Sequence, residues 1–358
     1  MPPSPEDRPL RRVVVRPREV ALTASIRDVA LRAGVSVGTV SNVLNRPDVV
    51  SPPTRERVLA AIESLGFVRN ESARHLRAGS SRTVGLVVLD IANPFFTDVA
   101  RGVEDVVNEQ GLALILCNAD DRPEKEAAYL SVLAEQRVQG VLITPTAQLS
   151  PHLEAMRQRG VPVVLLDRRA PGPDQCSVAV DDVVGGQLAA EHLLERGHER
   201  IAFIGGSSGL PQVQERHAGV ERAVRQRFGS DEQLTVFSPE TLTVLGGRET
   251  GALIVGMPEA RRPTAAVCAN DLIALGLLQE MVRHGVRVPD DFAIVGYDDI
   301  DFASSAAVPL STVRRPREVF GRSAVDLVRD QAESKEDLPV RSIVIQPELI
   351  VRQSSQRK

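Results

Sequence analysis

Cysteine is scarce and scattered: Cys117, Cys176 and Cys268 are the only three in 358 residues. They form no C-x-x-C pair and no metal-ligand spacing, so a reducing, cytoplasmic setting is expected. Long apolar runs are missing too. No stretch approaches the roughly 18 apolar residues that a membrane helix needs, and the opening MPPSPEDRPLRRVVVRPREV lacks the apolar centre of a secretory signal. Neither a membrane nor export is expected. Six histidines fall without metal spacing, and no Ser, His and Asp occupy identifiable catalytic turns. The chain reads as a non-enzyme that needs no metal or cofactor. Its Gly-rich GGSSG run lacks the GxGxxG spacing of a dinucleotide site and reads as a plain strand-to-helix turn.

With 42% hydrophobic and 25% charged residues, the composition is that of an ordinary globular chain, long enough for two or three compact units. The net charge of -4 argues weakly against nucleic acid until it is divided by segment. Ser25 to Arg82 holds nine Arg, no Lys and five acids, a balance of +4, and the preceding tail adds +2, so the remainder carries -10. A basic front on an acidic body suits a DNA-binding head on a regulatory body, although solvated charge alone could produce it. Residues 1–23, rich in Pro and Arg and without periodicity, are expected to be a disordered tail.

Periodicity begins at Ser25. Ser25 and Asp28 have the spacing of a capping box, Ile26, Val29, Ala30 and Ala33 recur at helical intervals, and Gly34 supplies a stop. Ser36 caps a second helix in which Val40, Val43 and Leu44 share a face, leaving Thr39, Ser41 and Asn42 for something outside. Ser51-Pro52 opens a third, with Val58, Leu59, Ile62 and Leu65 as its apolar stripe and Gly66 as its end. Three such helices can bury a common core against Phe67, either as a plain bundle or as a helix-turn-helix whose second helix enters a major groove.

The segments SIRDVALRAGVSVGTVSNVLN and VSPPTRERVLAAIESLGF closely resemble the head of the lac repressor family, and the match runs from Ile26 to Leu76. The resemblance implies operator contacts from Ser36, Val37, Gly38, Thr39, Ser41, Asn42 and Asn45, with Val37, Gly38 and Asn42 facing the bases. Two of those three make no side-chain hydrogen bond. The third stands where relatives commonly carry arginine, and its amide matches adenine better than guanine. NESARHLRA, residues 70–78, resembles the family's hinge helix, which implies that Ala73 and Leu76 meet the minor groove at the operator centre. The expected division is a helix-turn-helix domain over 24–69, a hinge and linker over 70–82, and a body over 83–358.

In the body, TVGLVVLD, LALILCN, GVLIT and PVVLLD read as buried parallel strands between amphipathic helices, and the alternation repeats through RIAFIGG, TAAVCAN and FAIVGYD. The expected class is α/β: two doubly wound parallel-sheet lobes with a cleft at the carboxyl ends of their strands. Asp167, Arg168, Asn270, Asp271 and Asp298 stand at those ends, and Arg216 lies early in a helix. Carboxylates, an amide and arginines, with Phe95 and Phe96 to stack, suit a hydroxyl-rich ligand. This body is similar to the periplasmic sugar-binding fold of the same family, which implies that these residues hold a sugar or sugar derivative. Gln212, in SSGLPQVQER, stands at a position variable in the family, which implies a part in ligand choice. Arg315 stands where the family often has a ligand-reaching glutamine: it either favours an anionic or phosphorylated ligand or points away.

Two functions fit. One is a ligand-responsive repressor: a cytoplasmic homodimer on double-stranded operator DNA, controlled by a sugar, sugar phosphate or nucleoside. The other is a sugar-binding or sugar-processing protein whose head only tethers or dimerises, opposed by the missing export signal and catalytic set. The closing PELIVRQSSQRK has no heptad tail, so a dimer rather than a tetramer is expected.

Overall fold

The computed structural model describes residues 24–67, 81–146, 149–172, 174–206, 209–333 and 341–356. The tail over 1–23 and the hinge residues Ala73 and Leu76 lie outside these. The chain divides into two compact units, Met1–Arg77 and Ala78–Lys358.

The first unit holds α1 (Ile26–Ala33), α2 (Val37–Asn45) and α3 (Pro52–Leu65). Local chemistry sets their ends. Ser25 and Asp28 form the reciprocal capping box, Ser36 accepts from the Thr39 N–H, and Gly34 and Gly66 stop α1 and α3 in left-handed conformation, which costs a residue without Cβ nothing. Val29, Ala30, Ala33, Val40, Val43, Val58 and Ala61 form the core, with Ile62, Leu65 and Phe67 packed on it. Leu59 departs from expectation at 50% exposed. It lies about 100° around α3 from Val58, and three short helices cover only a narrow stripe.

Five strands open the second unit: β1 (Thr83–Val88), β2 (Ala113–Asn118), β3 (Val141–Ile143), β4 (Val163–Leu166) and β5 (Cys176–Val180). Five more follow, β6 (Ile201–Ile204), β7 (Leu234–Phe237), β8 (Ala265–Cys268), β9 (Ala293–Asp298) and β10 (Ser311–Arg314), then the short β11 (Ser342–Ile345) and β12 (Glu348–Ile350). They make two six-stranded sheets, ordered β11-β5-β4-β3-β1-β2 and β12-β10-β9-β8-β6-β7. The first is parallel throughout. The second is parallel except for β12, which runs against β10. The chain therefore crosses between lobes three times: after β5, after β10, and between β11 and β12.

Helices α4 (Pro94–Glu109), α5 (Pro123–Glu135) and α6 (Pro151–Gln158) serve the first lobe. The second has α7 (Asp182–Glu195), α8 (Pro211–Phe228), α9 (Val244–Gly256), α10 (Asp271–Arg283) and the short α11 (Asp301–Ser305), after which α12 (Arg317–Glu333) returns to pack on α4. Glycines let α7 and α8 meet backbone to backbone. A Cβ on Gly186 would lie 2.0 Å from the Arg216 carbonyl oxygen, and one on Gly219 2.0 Å from that of Val183. This approach sets Arg216 beside the start of α7.

The end of the chain is fastened by a relay of donors in the second lobe. Arg196 Nη1 lies 3.0 Å from His192 Nδ1, and His192 Nε2 lies 2.6 Å from Ser355 Oγ. An arginine only donates, so Nδ1 is the acceptor and Nε2 carries the proton. Ser355 donates to Ser311, and Ser311 to the Arg352 carbonyl. Burial, then Arg196 and His198, lower the His192 pKa from 6.5 to about 4. The unfolded chain then takes up the proton first, so the stability this neutral imidazole contributes is whole above about pH 6.5 and falls as pH drops toward 4. A loss of about 2 kcal/mol between pH 7 and 5 is expected. NMR titration of the His192 ring with a midpoint above pH 6 would contradict it.

Candidate functional site

Between the lobes lies a cleft of ≈ 640 Å³. Its walls are strand ends: Asp90 beyond β1, Asp120 and Asp121 beyond β2, Asp167 beyond β4, Ser238–Leu242 beyond β7, Asn270 beyond β8, Asp298 closing β9 and Arg315 beyond β10. This is where parallel sheets leave backbone and side chains free to meet a ligand. Asp167 and Asp298 hold φ of 55° and 109°. Such left-handed backbone at non-glycine residues is strain of the kind that accumulates at functional sites.

Arg315 lines the cleft and is itself buried. Its Nη1 donates to Asp167 from the first lobe and its Nη2 to Asp298 from the second, the latter at 2.6 Å. The guanidinium carbon sits 3.2 Å from the Phe95 ring centre. All of this is buried. Burial pushes the Asp167 carboxyl up while Arg315 pulls it down, and Arg315 itself, which burial would lower, is held raised by Asp167 and Asp298. Asn93 adds a weaker tie, its Nδ2 3.4 Å from Asp298.

Arg216 is the second buried cation. It donates from Nε to Asp182 at 2.8 Å and from Nη1 to the Ala269 carbonyl at 2.7 Å, and it lies 3.9 Å from the Tyr297 ring centre. Its Nη2 has no partner among the described residues. Gln212, one turn earlier on α8 and only 7% exposed, lines the cleft with a side chain that makes no hydrogen bond among the described residues.

The structure corrects four sequence-based expectations. Asp271 does not line the cleft: its carboxylate accepts from Thr312 Oγ1 at 2.7 Å and the Ile300 N–H at 3.0 Å, locking α10 to β10, and burial pushes its pKa well up. Arg168 turns the other way, donating to the Thr146 carbonyl beside buried Glu126. Phe95 lies under Arg315, not open to the cleft, whereas Phe96 does line it. Arg315 neither points away nor offers a free charge, because two aspartates neutralise it.

Asp167, Gln212, Arg216, Asn270, Asp298 and Arg315 do converge. Sequence reading missed Asp90, Asn93, Asp120, Asp121, Asp182 and Glu240. Asp90, Asp120 and Asp121 follow apolar strands and had the same signal as Asp167. Asp182 had none, since it looks like any acidic first-turn residue.

In the first unit, Ser36, Val37, Gly38, Asn42 and Asn45 are exposed, and Thr39 and Ser41 half-buried. The Ser36 and Thr39 hydroxyls bond each other, and Asn45 Nδ2 reaches the Ser41 carbonyl at 2.8 Å. The Asn42 amide makes no side-chain hydrogen bond among the described residues. Elsewhere, no group of His, Cys, Asp and Glu among the described residues is arranged to hold a metal, and no helix among them is long and apolar enough to cross a membrane.

Comparison with known proteins agrees with this geometry. Residues 25–70 match the bacterial regulatory proteins of the lacI family, and residues 190–355 a periplasmic binding protein-like domain. The HTH-type transcriptional repressor PurR of Aliivibrio fischeri is 35% identical over 339 residues, covering 92% of this chain and 98% of its own. The lac repressor dimer bound to operator and the anti-inducer ONPF is similar with a TM-score of 0.79 at 26% identity, over 94% of this chain and 100% of the other. A transcriptional regulator CelR–cellobiose complex is similar at 0.66 and 32%, over 92% and 99%. A capped helix pair with a clear outer face, a two-lobed body around a polar cleft, and a relative this similar over nearly its whole length place the chain in the lacI family of DNA-binding transcriptional regulators.

Proposed function

We propose that this regulator is a repressor controlled by a small polyhydroxylated ligand, a sugar or sugar derivative, held in the cleft between the lobes. The observation that carries this reading is the convergence of Asp167, Gln212, Arg216, Asn270 and Asp298 on one polar cavity large enough for a sugar. Phe96 supplies an apolar wall. The similar CelR structure contains cellobiose in its own complex, which agrees with a saccharide here. Phe95 acts one layer back, packed against the Arg315 guanidinium, while Asp271 and Arg168 are engaged with Thr312, Ile300 and Thr146 outside the cleft.

The three crossovers tie the lobes together, so a ligand that binds one lobe arrangement better than another shifts their balance by that difference in affinity and by nothing else. The assigned output is the exposed face of α2, with Ser36, Val37, Gly38, Thr39, Ser41, Asn42 and Asn45 at the operator and Ala73 and Leu76 at its centre. Exposed Leu245 and Leu253 on α9 and Val282 on the adjacent α10 are apolar surface that a homodimer would cover. A cytoplasmic location fits operator binding.

The test is operator retention in a gel shift while sugars are added: release or tightening by one sugar supports the reading, and indifference to all sugars that bind the protein rejects it. Asn42→Ala is expected to lower affinity by about 1–3 kcal/mol and to flatten preference at one base position. Unchanged relative affinities across all single-base operator variants would remove Asn42 from the base-reading role.

A further inference from the structure

The charge around the cleft is unbalanced in a way that bears on ligand class. Among the described residues, six carboxylates line it against two guanidiniums. Neither guanidinium offers an uncompensated charge, although Arg216 Nη2 keeps one N–H group without a partner among the described residues. Arg315 is held by Asp167 and Asp298, one from each lobe, and Arg216 by Asp182. All five groups are at most 4% exposed, so an anion drawing either arginine away would leave a buried aspartate charged and unpaired.

The acids nearer the mouth are placed differently. Asp120 is paired with Lys125 at 3.1 Å. Asp121, beyond β2 in the first lobe, and Glu240, beyond β7 in the second, have no hydrogen bond or ion pair from their carboxylates among the described residues. Burial and the like charge of Asp90 push the Asp121 carboxyl up, a repulsion that a cation would relieve. Gln212, 7% exposed and lining the cleft with an amide that makes no hydrogen bond among the described residues, and the buried Arg216 Nη2, which has no partner among them, offer polar groups that this site does not itself satisfy.

We propose that the cleft takes a polyhydroxylated ligand carrying an amine and refuses phosphorylated or carboxylated ones, with Asp121 and Glu240 meeting the amine and Arg315 filling the two inner aspartates as a built-in cation. This rests on the reading of the cleft as a polyol site. Arg315 is then a specificity determinant through the pair it occupies.

Calorimetric titration of the full chain with matched triplets separates the possibilities: glucose, glucosamine and glucose 6-phosphate, with the galactose equivalents. The amino sugar is expected to bind about tenfold tighter than its parent, and the phosphate not at all. The advantage should shrink at about 0.5 M salt and disappear in Asp121→Asn/Glu240→Gln, while Arg315→Gln, which frees two more acids, should enlarge it. Phosphate binding that Arg315→Gln abolishes would overturn the proposal and make Arg315 an anion anchor. An amino sugar that binds no better than its parent overturns the amine but leaves the polyol reading intact. Binding by no member rejects both.

Discussion

Asp182→Ala is expected to lower folding stability by about 3–5 kcal/mol, the range for stranding one partner of a buried ion pair. Arg216 cannot escape by losing its proton, since an arginine side chain stays protonated under any ordinary condition. Burial alone would lower its pKa, but Asp182, Tyr297 and Asp298 hold it raised. The Ala269 carbonyl and the Tyr297 ring remain in the variant, yet neither carries a countercharge. Nor can α7 and α8 spread to admit solvent, because Gly186 and Gly219 pack each helix against the other's backbone. Asp182→Asn keeps an acceptor at 2.8 Å and should lose less. Urea unfolding followed by circular dichroism measures both. A loss below about 1 kcal/mol for Asp182→Ala would mean that another acid or water reaches Arg216, and would weaken the case that this cation is closed to an anionic ligand.

Operator affinity is expected to fall about ten-thousandfold between roughly 50 and 200 mM salt. The first unit has the charges for it: Arg27, Arg32, Arg46 and Arg57 are exposed and make no ion pair among the described residues. A dimer brings two sets, about eight phosphate partners, each releasing a counterion on binding. The outer face of α2 has little to offset that dependence, since Val37 and Gly38 donate nothing from their side chains and Asn45 is engaged with Ser41. Sequence preference must then rest on few side chains, Asn42 first, and on the shape of the operator. Fluorescence anisotropy across a salt series gives the slope directly. A tenfold change or less over this range would indicate too few phosphate contacts for a stable operator complex.

The first unit was legible almost residue by residue. Its signals act over three or four positions: Ser25 with Asp28, Ser36 with Thr39, a glycine where a helix must turn left-handed. Strands β1, β3, β4, β6, β8 and β9 were legible because strands buried on both faces must be continuously apolar, whereas the interior strands β5 and β10, with serine and threonine in their short runs, were not. The edge strands β11 and β12 were not. They are partly exposed, short and mixed in polarity, and they become strands only by pairing with β5 and β10, far away in the chain.

The candidate site divides the same way. That Asp167, Asn270, Asp298, Arg216 and Arg315 stand near a cleft followed from their places at strand ends, a rule of topology that sequence carries. What each does there did not follow. Asp271 is adjacent to Asn270 and of the same kind as Asp298, yet it turns inward to Thr312 and Ile300. Arg315 was equally compatible with a free charge and with an idle one, and proved to be neither, because its partners come from residues 148 and 17 positions away. Sequence by itself determined the helices, the alternation of the two lobes and the line of strand ends on which a ligand site must lie, since these depend on local propensity and hydrophobic period. Only the tertiary structure decided which charges remain open to a ligand, because pairing is settled by which side chains are buried within about 3 Å of each other, and that distance is set by how the lobes pack.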